Sequence, residues 1–230
     1  TKRVVETFER LGLGPLMQMA QEERCSDIEA VWNRCNTGTL LLRWLAQVGT
    51  EDYVGHRALI LVLLTLCDNA MVYWRRYTTD STPAGIINKM QALFVPGSTP
   101  TWGAVNQRAN ELRLQLDGLR EWAGRTSPPG RTTLQTLISA LDDVLCTVHT
   151  PLPYTAHCTQ NITLLHMMAQ PDAQVTARVD FERRTALLVR AAIDVAYIRD
   201  ATATYLKGLP PVSETTAERD PKTTRIVETL

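Results

Sequence analysis

Charge of one sign is missing. In 230 residues, 24 Lys and Arg face 24 Asp and Glu, which leaves no net charge at pH 7. A surface built mainly to hold nucleic acid or anionic lipid needs a basic excess, so the balance argues against both partners. Long hydrophobic runs are also missing. The longest lies within Ala58–Cys67 and is interrupted by Thr65, short of the roughly 20 apolar residues a bilayer-spanning helix requires. No membrane span is expected. Glycine-rich phosphate loops are absent: there is no GxGxxG and no GxxxxGK[ST], and neither GxSxG nor HExxH occurs. A catalytic triad need not be close in sequence, but nothing singles one out.

Lysine is scarce, with 4 against 20 Arg, and Thr is abundant at 29. This bias suits GC-rich coding, as in a large DNA virus or a high-GC bacterium. Five cysteines cannot all pair with one another, and four of them (Cys25, Cys35, Cys67, Cys146) sit in helical patterns where an apolar thiol packs well. A secreted disulfide scaffold would be smaller and denser in cysteine. A reducing intracellular compartment, cytoplasm or nucleus, is therefore expected, with incorporation in a virion as an option. The sequon Asn161-Ile162-Thr163 falls inside a helical pattern.

What is present is helical periodicity. No stretch alternates with period two and no Asn-Gly or Asp-Gly hairpin signal stands between strands, so the fold is expected to be all-α, a single bundle of nine or ten helices. Ser26 and Glu29 form a capping-box pattern ahead of Ile28, Val31 and Trp32. The stretch from Thr50 to about Tyr77 is apolar on nearly every side in its middle, which predicts a central helix surrounded by others. From residue 101, Val105, Ala109, Leu112, Leu116, Leu119 and Ala123 alternate spacings of four and three, the seam of a bundle helix. Beyond the Arg125–Arg131 linker a second seam begins at Leu134. Helices over about 101–124 and 132–149 are thus expected to pair as an antiparallel hairpin. Asp172 then opens a long helix to about 207, which Gly208 and Pro210-Pro211 halt.

The domain is expected over 1–208, with a subdivision point at the turn 97–100, followed by a mobile polar tail over 209–230. Residues 1–8 (TKRVVETF) and 223–230 (TTRIVETL) agree at five of eight positions, by chance or as one short element used twice.

Few residues suggest chemistry. Tyr73-Trp74-Arg75-Arg76-Tyr77 interleaves cations with aromatics, the residue types that dominate protein-interface hot spots and that also stack on bases. With Trp102 and Trp122 it forms the candidate partner-binding set. A second basic group, Arg178, Arg183, Arg184 and Arg190, is offset by Asp180, Glu182 and Asp194 and reads as a solvated or partner-facing flank. Cys146, His149, His157 and Cys158 offer four zinc-type ligands near one loop, but the spacing matches no common finger. Asp142-Asp143 lacks the third carboxylate of a DDxxD magnesium box. No cofactor is expected. The expected function is a non-enzymatic helical scaffold that binds other proteins, of the tegument or accessory kind in a large DNA virus, with self-association open. A helical nucleic-acid binder or transcriptional regulator, and a zinc-stabilised helical protein, are the alternatives. Against the regulator, the segment after Asn36-Thr37-Gly38 is rich in Leu where a recognition helix needs polar side chains.

Overall fold

The computed structural model describes residues 1–128 and 130–210. Among them there are eleven α-helices and no strand. In chain order these are α1 (Lys2–Arg10), α2 (Gly14–Glu22), α3 (Ile28–Arg34), α4 (Gly38–Val48), α5 (Tyr53–Trp74) and α6 (Thr82–Gln91). They continue as α7 (Trp102–Gly124), α8 (Gly130–Cys146), α9 (Pro151–Ala169), α10 (Gln174–Ala192) and α11 (Val195–Gly208).

α5 is the axis. Asp52 caps it by accepting from the Gly55 amide, and fourteen of its 22 residues are buried. It is long and apolar enough to meet the composition of a membrane span, yet α4, α6, α8, α9 and α10 pack around it. A helix that is apolar all round needs such a jacket in water. The seam of α7 is buried at each expected position from Val105 to Ala123. α7 and α8 pack on one another, and Arg113 and Arg120 of α7 both pair with Asp142 of α8 at 2.7 and 2.6 Å. One apolar core links residues on both sides of the turn 97–100, Phe94 and Val105 among them.

Trp44 ties the amino-terminal helices to the rest. Its ring meets Phe8 of α1 edge-on at 4.9 Å and Trp32 of α3 at 5.5 Å, and its indole N–H donates to the Thr202 hydroxyl of α11 at 3.0 Å. A buried Trp N–H needs such a partner. The Arg190 guanidinium of α10 donates to the carbonyls of Trp32 and Cys35, closing the end of α3.

Two sequence expectations change. The long helix over 172–207 is two helices, because Ile193 is extended (φ −145°, ψ 136°) and Asp194 caps a new start by accepting from the Ala196 amide. That break accounts for eleven helices rather than nine or ten. The cap of α3 is Asp27, which accepts from the Ala30 amide at 2.7 Å while Ser26 donates to its other oxygen at 2.6 Å. An ionised carboxylate is the stronger acceptor at a positive helix end. Pro151 is the first residue of α9, where a missing N–H costs nothing. All five cysteines are buried and unpaired. Of the two similar octapeptides, residues 1–8 lie in and just before α1, with Val4 and Phe8 buried, and residues 223–230 lie outside the described residues, as does the tail beyond 210.

Candidate partner-binding surface

The carboxyl end of α5 is built in two layers. The inner layer is Tyr73 and Trp74, whose spacing from Cys67, Ala70 and Met71 keeps them on the buried side of the helix. Trp74 is fully buried, and its indole N–H donates to the Asp80 carbonyl at 2.7 Å. Of the candidate partner-binding set, Trp74 is therefore not accessible to a partner, and it serves as an anchor. Tyr73 is also buried; its hydroxyl is bonded to Nδ1 of His166 at 2.7 Å. Burial, with the Arg184 charge beside it, holds the His166 imidazole below its usual range, so it stays neutral near pH 7.

The outer layer is Arg75, Arg76 and Tyr77, all exposed. Arg76 sits over the Tyr73 ring at 5.2 Å, a cation–π contact that orients the guanidinium. Trp122 of α7 lies 6.0 Å from Trp74, centroid to centroid, and is 39% exposed. Tyr77 lies against Gly130 at the start of α8, where a Cβ would meet its ring at 2.9 Å. The fold thus brings two separate sequence features, 73–77 and Trp122, to one place beside the α7–α8 turn. Half-exposed Val72 adjoins them on α5.

Trp102 does not join this group. Twenty residues of α7 separate it from Trp122, about 30 Å at helical rise. It is half-buried and stacks on His56 at 4.3 Å, whose Nε2–H donates to the Thr147 carbonyl at 2.9 Å. It closes a packed corner and presents little to a partner.

The four zinc candidates are not brought together. Cys158 is fully buried, and the neighbouring Cys67 thiol together with burial pushes its pKa well up. His157, the next residue, is exposed, as is His149. Adjacent helical positions point about 100° apart, which explains the division. Among the described residues no three His, Cys, Asp or Glu side chains stand close enough to hold a metal ion.

Asp143 carries the clearest perturbed charge. Burial raises its carboxyl to about 6, against the Asn161 amide, which donates to it at 3.0 Å, and His157. The same contact engages the side-chain nitrogen of the sequon. A carboxyl whose folded pKa lies above its unfolded value favours the fold when protonated. Its penalty is complete above about pH 6 and disappears near pH 4. Asp143→Asn keeps an acceptor for Asn161 and removes the charge. It should stabilise the protein at pH 7 by about 1 kcal/mol, a figure discounted for partial exposure. Chemical denaturation of both proteins from pH 4 to pH 8 checks this: the gain should shrink to nothing at the acid end, and a pH-independent difference would refute the assignment.

No family model, curated protein or solved structure matches this chain.

Proposed function

We propose that the protein is a non-enzymatic helical scaffold that holds another protein against the surface made by Arg75, Arg76, Tyr77 and Trp122. In this reading α7 and α8 form an antiparallel hairpin whose turn supports the Trp122 side of that surface. The observation that carries the proposal is an exposed Trp and Tyr beside two arginines that lack an acidic partner among the described residues, mounted on a buried anchor. Interface hot spots combine these side chains with a rigid support. A surface patch of Trp, Tyr and Arg on an otherwise charge-balanced chain suits a protein partner with an acidic rim.

The test separates surface from frame. Trp122→Ala combined with Arg75→Ala and Arg76→Ala should weaken capture of the partner at least tenfold, while the melting temperature stays within about 3 °C of the parent. Trp102→Phe should leave capture unchanged. Undiminished capture by the triple variant refutes the reading.

A further inference from the structure

A groove runs between α4, α9 and α10. It has two continuous parts of about 500 and 460 Å³ that share Met167, Arg178 and Glu182. It has no lining residue in common with the Trp122 surface. Its apolar content is exposed: Leu164 is 44%, Val175 79% and Val179 49% accessible. Three large aliphatic side chains left in water around one concavity suggest a covered face.

Charge specifies what covers it. Arg43, Arg178 and Arg183 line the groove, are exposed, and enter no ion pair among the described residues. The one acidic side chain lining it, Glu182, is already committed: its carboxylate accepts from the Thr39 amide at 2.9 Å and from the Thr39 hydroxyl at 2.8 Å, closing the start of α4. The protein as a whole is neutral, so this cleft is a local concentration of positive charge. The exposed amides of Asn36, Gln160 and Gln174 add neutral polar groups to the lining. The hydroxyls of Thr155, Thr159 and Thr163 on the α9 wall each bond back to a carbonyl four residues earlier. No aromatic side chain lines the groove, which removes the stacking platform a single-stranded nucleic acid uses.

We infer that the α4/α9/α10 groove binds an acidic amphipathic helix from another protein. Its apolar stripe lies on Leu164, Val175 and Val179, and its flanking carboxylates meet Arg43, Arg178 and Arg183. The α9 wall from Thr155 to Met167 is about 18 Å long at helical rise, the length of a three-turn ligand helix. Arginine forks suit carboxylates of such a helix in paired contacts.

The probes are two fluorescein-labelled 14-residue helices with the same Leu stripe, one with Glu and one with Lys at the flanking positions. Fluorescence anisotropy should show micromolar binding of the Glu helix and none of the Lys helix. Arg43→Ala with Arg178→Ala should weaken the Glu helix at least tenfold, as should Val179→Asp, with circular dichroism unchanged. Trp122→Ala should have no effect, which separates this site from the one proposed above. Raising the salt from about 50 to 300 mM should weaken binding further. Equal binding of the two helices, indifference to the arginine substitutions, no binding of the Glu helix up to 1 mM, or its displacement by a short single-stranded oligonucleotide would each overturn the inference.

Discussion

Trp44→Ala is expected to remove about 3–5 kcal/mol of stability, a large part of what a domain possesses. Trp44 has no exposed surface and touches α1 and α3 through ring contacts and α11 through the Thr202 bond. Truncation leaves a cavity among Phe8, Trp32 and the core, and strips the buried Thr202 hydroxyl of its indole donor. For a chain of this size the melting temperature should fall by about 10 °C or more. Because Phe8 is the anchor of α1, brief proteolysis of the variant should cut first around residues 10–14. Trp122→Ala serves as the contrast: Trp122 is 39% exposed, and its loss should cost less than about 1.5 kcal/mol. A melting point for Trp44→Ala within 3 °C of the parent would refute the hub.

Gly38→Ala should be nearly as damaging although it adds a single methyl. Alanine at the first turn of a helix ordinarily helps. Here a Cβ would fall on backbone and side-chain atoms of Thr185 and on the Ala186 amide of α10, which no rotamer change relieves. α4 and α10 would have to separate, at a cost of about 3 kcal/mol. Gly85→Ala, in the interior of α6 with nothing within 4 Å of the new atom, should instead gain about 0.5–1 kcal/mol. Thermal melts of the two variants should move in opposite directions. Equal and small shifts would mean that α4 and α10 are not held in contact at Gly38.

The helical frame was legible wherever periodicity acted alone. The spacing of Val105 through Ala123 specifies one buried stripe, and each of those residues is buried. The middle of α5 was legible for a different reason: apolar side chains on every face leave a soluble helix no place but the centre. Legibility failed where a local bond competes with the pattern. Ala186 to Ile198 reads as one continuous apolar helix, and the Asp194 cap that divides it is a single side chain acting on a single amide. At the candidate surface, composition singles out the segment 73–77 but not which of its side chains face inward. Trp74 and Trp122 are the same residue type, and only the helical phase of Trp74 with Cys67, Ala70 and Met71 tells that it faces the core. That phase was available in the sequence. The groove was not, because Arg43 and Arg178 are far apart along the chain and meet only when α4 packs on α10.

α5 is the buried axis of the fold; the first proposed binding surface includes its carboxyl end, and the second lies on α4, α9 and α10, which pack around it. Native-state amide hydrogen exchange measures this directly, because buried core helices exchange only by global unfolding whereas peripheral ones open locally. The amides of Leu59 to Cys67 should be the slowest in the molecule and share one opening free energy, with those of α1 far faster. Amides of α5 exchanging as quickly as those of α1 would contradict it.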